Sequence, residues 1–448
     1  MPSTQFDISN ITSWQAACEE WTTNGSTNYN TFRLTANTTL LVSVLNALSD
    51  TSNNFTNFSG TFDGCGNTLT LDGTGTTDIS NSLFIDLSGG TIQNFTFDIS
   101  GCKSLNVSNG FIPPPQKGFL HSSSSGFVNG TGYGTFKNIN TINNNSVVAN
   151  KGGFMIGQYF GNTENQNEYV HIIGCDFSGN INQKYGGGLC GAYLQSLDLK
   201  IYDCSINATI SGESSGAVGG RSCLQNVSSH FNDSNVDICN NNISVVFNNK
   251  YCGAMFGINM GEFCNYDSTI NIRNNNITVT NNNSQYIAGL SSLQNSSSVY
   301  YNTYNNLRIE NNIIKTTDLV SSSTFGSLFY VKHNLLLDTP DGSGSLIITG
   351  NDLSGIILSQ LPTEEHKHKY LFNDDGVSFF DGAPPEIFES VTIHSNVYGP
   401  YEPPPSPQNP CPCPKINNAS KHNTSTVIRQ FSRAQVNSMR LRSGRRFR

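Results

Sequence analysis

Along most of the chain, short runs alternate apolar and polar residues with a period of two, and each run stops at glycine or asparagine. The stretch FSGTFDGCGNTLTLDG, residues 58–73, is the clearest example: a strand, a Gly/Asp corner and a second strand. A second unit of the same kind, SLFIDLSGGTIQNFTFDIS, covers Ser82 to Ser100. The form then recurs as IIGCDFSGNI, IYDCSINATI, VDICNNNISV, INIRNNNITV, LRIENNIIKT and LIITGNDLSGII, around Phe177, Ile206, Ile243, Ile277, Ile313 and Leu353. Neighbouring units are 29, 37, 34, 36 and 40 residues apart. Glycine-rich segments lie between them at a similar period: GGFMIG, GGGLCG, SGAVGG, CGAMFG, IAGLSS and FGSLF. A unit that cannot bury its apolar face alone, repeated many times, predicts stacked strands in a solenoid. Asparagine at the corners tolerates left-handed backbone angles, and stacked amides bond from unit to unit, so the Asn runs read as ladders.

Four segments depart from this pattern. Residues 12–22 predict a helix: Thr12 and Gln15 have capping-box spacing, and Trp14, Ala17, Cys18 and Trp21 fall on one apolar face. Such a helix would cover the first strands of the stack. Residues 109–135, with three consecutive prolines and a serine run, read as an excursion from it. The period lapses after Leu358. Residues 400–414, PYEPPPSPQNPCPCP, read as a stiff spacer, because proline removes backbone donors and fixes φ.

Composition sharpens this picture. Only 12% of residues are charged, about half the usual share, while 36% are hydrophobic, with 27 Phe and 17 Tyr. That is enough apolar surface for a core, so a β-rich fold is favoured over disorder. The net charge of −8 hides an asymmetry. From Lys415 onward there are nine Lys/Arg and no acid, leaving 15 basic against 32 acidic residues, a balance of −17, in the remainder. Weak helical patterning runs through Val427, Phe431, Ala434 and Leu441. No apolar run reaches the roughly 20 residues of a membrane span, and the first residues form no secretion signal. The expectation is an intracellular protein with mostly reduced cysteines, in which the Asn-x-Ser/Thr triplets at Asn57, Asn94 and Asn106 are chance products of composition. Cys175 and Cys204 occupy matching places in consecutive units and predict an inward stack of small side chains.

The string FSGTFDGCGNTLT, preceded by TFRLTANTTL and followed by SLFIDLSGGTIQNFTF, resembles the opening of right-handed parallel β-helix proteins of the pectin-lyase-like type. The resemblance is specific over residues 29–100 and one of pattern beyond. It implies an all-β, right-handed parallel β-helix. With the other signals, the expected division is an N-terminal cap at 1–28, a β-helix body at 29–358, and a C-terminal cap or appended unit at 359–399. The proline linker at 400–414 and an extended basic arm at 415–448 follow.

Many relatives of that type cleave acidic polysaccharides with clustered carboxylates or bound calcium. Asn373, Asp374 and Asp375 with Arg308 faintly echo a polygalacturonase set, but the order is reversed and the histidine between glycines is missing. His366 and His368 beside Glu364 and Glu365 could share a strand face, yet two adjacent lysines would repel a cation. Cys411 and Cys413 lack a second ligand pair. No nucleotide-binding or Ser/His/Asp pattern stands in a supporting context. The expectation is therefore no catalytic residue, no metal and no cofactor. Interest moves to the basic arm, where Arg429, Arg433, Arg440, Arg442, Arg445, Arg446 and Arg448 could form a docking strap on other structural proteins, an import signal or a nucleic-acid contact. The acidic body disfavours the last. Asn-rich composition and the RSGRR-type ending resemble proteins of large DNA viruses, which suggests a non-enzymatic virion or capsid component. A carbohydrate-active or carbohydrate-binding β-helix and a trimeric adhesin-like fibre are the alternatives, and homo-oligomerisation is left open.

Overall fold

The computed structural model describes residues 4–47, 54–73, 83–101, 104–105, 133–143, 147–148, 152–157, 169–192, 194, 198–221, 223–224, 235–258, 260, 269–282, 284–294, 306–321, 325–332, 345–362, 370–374, 390–400 and 427–430. The protein is all-β, built on one 21-stranded, largely parallel sheet, with two α-helices among the described residues. Strand β1 (Gln5–Ile8) leads into α1 (Ile11–Asn24). The helix starts at Asn10, whose side chain accepts from the Ser13 amide while Ser13 Oγ accepts from the Asn10 amide, both at 3.0 Å. The box thus lies two residues before the Thr12/Gln15 pair, because Asn10 is a better acceptor at an extended cap residue. Trp14, Ala17, Cys18 and Trp21 are buried as their spacing predicts. Trp14 packs edge-on to Phe55 and Phe62, and Trp21 Nε1 donates to the Thr56 carbonyl at 2.8 Å.

Next come β2 (Thr31–Leu34), β3 (Thr38–Leu41), α2 (Val42–Ala47), β4 (Phe55–Phe58), β5 (Thr61–Asp63), β6 (Thr68–Asp72) and the long β7 (Phe84–Gly101). Strand β7 pairs with β4, β5 and β6 in turn, all parallel. Then follow β8 (Ser104–Leu105), β9 (Tyr133–Asn143), β10 (Val147–Val148), β11 (Tyr169–Ile173), β12 (Asp176–Ile181), β13 (Asp198–Tyr202), β14 (Ser205–Ile210), β15 (Asn235–Cys239) and β16 (Asn242–Phe247). The remainder is β17 (Thr269–Arg273), β18 (Asn276–Asn281), β19 (Ile287–Ala288), β20 (Ser291–Gln294), β21 (Asn306–Glu310), β22 (Ile313–Thr316), β23 (Phe325–Gly326), β24 (Phe329–Lys332), β25 (Ser345–Thr349), β26 (Phe372–Asp374), β27 (Ser390–His394) and β28 (Val427–Gln430).

Two parallel ladders organise these strands. One runs β9, β11, β13, β15, β17, β21, β25, β27, and the other β9, β12, β14, β16, β18, β22. From β11 onward the register holds residue for residue, so Ile172, Ile201, Ile238, Ile272, Ile309, Ile348 and Ile393 form one buried column. A slip of one residue would turn that column to solvent, which is why alternation fixes the register. Burying each such side chain contributes about 1.5–3 kcal/mol. The glycine-rich segments form a third row of bridges, Gly153 to Gly187 to Gly216 to Gly253 to Ala288. A Cβ on Gly187 would lie 2.1 Å from the Cys190 carbonyl oxygen, so the close backbone approach excludes a side chain there.

Between paired strands of the two ladders, one residue per repeat adopts a left-handed conformation: Asn94, Asn138, Gly174, Asp203, Asn240, Asn274, Asn311, Gly350 and Ser395, with φ from 52° to 68°. The next residue points inward and stacks in register, giving the column Phe95, Ile139, Cys175, Cys204, Asn241, Asn275, Asn312, Asn351 and Asn396. From Asn275 onward each amide oxygen accepts both the backbone N–H and the side-chain amide of the preceding asparagine, at 2.9–3.0 Å.

The first ladder passes residue 358, where the sequence period lapses. Strand β27 pairs in parallel with β25, and Asn396 extends the amide column, because the intervening chain is longer while the rung is the same. Strand β28 then lies antiparallel on the outer edge of β27. The helical patterning of the tail is not realised over these four residues. The open edge of β27 offers unpaired backbone groups, which a strand satisfies and a helix cannot.

Candidate functional site

Outward-facing positions of the first ladder carry a row of ionisable side chains. Alternation sends positions one, three and five of each strand outward, so Tyr169 and His171 of β11 neighbour Asp198 and Lys200 of β13, and Asp237 of β15 follows. The Asp198 carboxylate lies 2.8 Å from both His171 Nε2 and Lys200 Nζ, and those two nitrogens are 3.3 Å apart. Tyr169 packs on the His171 ring at 4.8 Å, with Tyr133 edge-on beyond it at 6.0 Å. One repeat further, Asp237 takes a two-point contact from Arg273, Nε to Oδ1 at 3.0 Å and a terminal nitrogen to Oδ2 at 2.6 Å. The Tyr202 hydroxyl donates to the same carboxylate at 2.7 Å.

Both carboxyl groups are held below their ordinary range. Burial alone would raise them, but hydrogen bonds from Lys200 and His171 to Asp198, and from Arg273 and Tyr202 to Asp237, outweigh it. Tyr202 is pushed up, first by burial and then by the Asp237 carboxylate, and stays a phenol donor. The row is therefore a set of satisfied ion pairs: ionised carboxylates with bound cations cannot release a proton at neutral pH. The buried thiols are equally quiet, since burial pushes Cys175 and Cys252 up to about 12.

Sequence reasoning missed this row. Its signal was present in YVHII, DLKIY, NVDIC and TINIR, whose odd positions carry the charges once the strings are set in register. Of the residues singled out from sequence, Arg308 lies in β21 of the first ladder, whereas Asn373 and Asp374 lie in β26 of a separate three-stranded sheet, so no single sheet brings them together. Asp375, Glu364, Glu365, His366, His368, Cys411 and Cys413 lie outside the described residues, as does the excursion apart from residues 133–135 in β9. Arg429 belongs to β28, opposite Val391. Arg433, Arg440, Arg442, Arg445, Arg446 and Arg448 lie outside the described residues. Asn94 has both amide atoms engaged, receiving from Asn138 at 2.9 Å and donating to Asp63 at 3.3 Å. Among the described residues no group of three or more His, Cys, Asp or Glu could hold a metal ion, and no helix is long and apolar enough to cross a membrane. Comparison with known proteins returned no match to a family model, a curated protein or a solved structure.

Proposed function

We propose that the chain is a non-catalytic structural protein: a rigid right-handed parallel β-helix body, tied to neighbouring proteins of a large assembly by its basic C-terminal arm. The observation that carries this reading is the paired state of the outward carboxylates. Acid/base cleavage of a polysaccharide needs a free acid or base, whereas Asp198 and Asp237, the carboxylates of the outward row, are each engaged by cations of the same face. Two parallel ladders joined by a left-handed corner, with a glycine row as a third wall, are what one turn of such a helix would supply. The arm, with nine Lys/Arg and no acid, complements bodies that carry −17. Asn-rich composition makes a virion or capsid the preferred context, with Arg433, Arg440, Arg442, Arg445, Arg446 and Arg448 as arginine forks onto structural partners.

Deleting residues 415–448 tests the reading. The expected result is a β-rich, folded body by circular dichroism that no longer enters the parent particle. Normal incorporation overturns the docking role. A second reading, carbohydrate binding without cleavage, is favoured by the rings of Tyr133 and Tyr169 beside His171 on the outer face. Glycan binding that survives deletion of the arm would discriminate in its favour.

A further inference from the structure

The end of the stack at β27 differs from every rung before it. Strand β27 has β25 on one edge, and on the other only the four residues of β28, paired Ser390 to Gln430, Val391 to Arg429, Thr392 to Ile428 and Ile393 to Val427. A four-residue antiparallel ribbon is a weak closure, with each backbone hydrogen bond contributing about 0.5–1.5 kcal/mol net. The amide column also ends here. Asn396 accepts from Asn351 and donates to the Ile348 carbonyl, and among the described residues no further amide oxygen follows to receive its backbone N–H. Apolar exposure concentrates at the same end. Of the five large hydrophobic side chains exposed among the described residues, Ile313, Leu319, Ile357 and Val397 belong to the last three rungs, with Leu41 the exception.

The route of the chain is the remaining observation. The Tyr370 hydroxyl donates to the Pro400 carbonyl at 2.8 Å, fixing the point at which the chain leaves the body. Residues 401–426 separate that point from β28, and seven prolines lie between 403 and 414. A link of 26 residues can span at most about 85–95 Å, so its length does not confine β28 to the β27 edge of its own body. A neighbouring copy presents the same β27 edge in the same register to this strand, and its residues 1–414 carry the same net charge of −17 opposite the basic tail.

We infer that β28 is an exchangeable strand: it covers the β27 edge of its own chain when the protein is alone and the β27 edge of a second copy when two bodies meet end to end. The receiver of the arm is thus another copy of this chain, recognised by backbone pairing at residues 390–394, while the exposed Val397 and Ile357 are buried by the incoming body. Reciprocal exchange between two copies closes a dimer, and one-way exchange propagates a row. The inference rests on the reading of the arm as a docking strap and names the surface that receives it.

The test places the photoreactive residue benzoyl-phenylalanine at position 428 of the full chain and irradiates a concentration series. Crosslinked peptides are mapped by mass spectrometry, and products are sized on a denaturing gel. The expected result is a crosslink from 428 into 390–394 whose products shift from single to doubled mass as concentration rises. Crosslinks that stay at single mass throughout overturn the exchange, and crosslinks mapping elsewhere overturn the pairing. As an independent measurement, V397D should lower the doubled fraction about fivefold, equivalent to about 1 kcal/mol; an unchanged fraction overturns the end-to-end contact. Intrachain crosslinks together with failed incorporation of the 415–448 deletion would leave the strap and remove only its receiver. Normal incorporation of that deletion would remove the strap itself.

Discussion

The inward position after the left-handed corner is Phe95, Ile139, Cys175 and Cys204 in one half of the molecule, and Asn241, Asn275, Asn312, Asn351 and Asn396 in the other. The backbone is the same in both halves. In the amide half each Oδ1 takes the N–H of the rung before, and each Nδ2 reaches back to a strand carbonyl, as Asn241 does to Ile201 at 3.0 Å. The thiol rungs follow the same wiring with weaker groups. The sulfur of Cys175 accepts from the Ile139 amide and that of Cys204 from the Cys175 amide, while Cys204 Sγ reaches back to the Ile172 carbonyl at 3.8 Å. The two chemistries meet where the Cys204 N–H donates to Asn241 Oδ1 at 2.9 Å. One corner geometry therefore sets one hydrogen-bonding demand, and residues as different as cysteine and asparagine meet it to different degrees.

The largest expected effect comes from breaking the strong half. Asn312→Ala removes the acceptor for the Asn275 N–H and amide and the donor to the Ile272 carbonyl, all buried. At about 1–3 kcal/mol per orphaned group, partly relieved by repacking, the loss is about 3–5 kcal/mol. Cys204→Ala, at the equivalent place in the weak half, should cost only about 1–2 kcal/mol, a small cavity and two poor sulfur contacts. Urea unfolding of both variants measures the difference. Equal losses would mean that the amides act as mere fillers and the comparison is empty.

The corner itself gives the next effect. At Gly350, φ is +68° and a Cβ would lie 2.3 Å from Asn311 Oδ1. Gly350→Ala therefore meets both the left-handed penalty, about 1–2 kcal/mol, and a displaced asparagine. A destabilisation of about 2 kcal/mol in the same urea assay is expected. A neutral result would show that the amide stack tolerates displacement and is softer than its distances suggest.

The asparagine column was legible in the sequence because its residue type matches its backbone role, and NNN between apolar runs marks both the corner and the ladder. Cys175 and Cys204 were legible as inward neighbours, but their place in the same wiring was not, since sulfur as an acceptor leaves no pattern in one sequence. The helix face with Trp14 and Trp21 was plain from its period, whereas its cap slipped to Asn10, a choice made by a local hydrogen bond that spacing alone does not rank. The outward row stayed hidden for a different reason. His171, Asp198, Lys200, Asp237 and Arg273 are scattered singly through the chain, and only the ladder register makes them neighbours.

The smallest effect contrasts the inner column with this outer row. Asp237 is 8% exposed, but the side chain of its partner Arg273 remains 43% exposed, so solvent screening holds the pair to about 1 kcal/mol or less. Its sign with pH is fixed. The folded-state pKa of Asp237 lies below the unfolded value of about 3.9, so between the two the unfolded chain binds more protons. The contribution is complete above about pH 4 and is lost as pH falls through the folded value. Asp237→Asn should therefore be slightly less stable than the parent at pH 7, and the two should converge as pH falls through the folded-state value, as read from urea midpoints at each pH. Asn312→Ala has no titrating group at its site, so its deficit should keep its full size across the same range. A deficit of Asp237→Asn that stayed constant with pH would mean that the outer row is held by packing and hydrogen bonding, as the inner column is, rather than by charge.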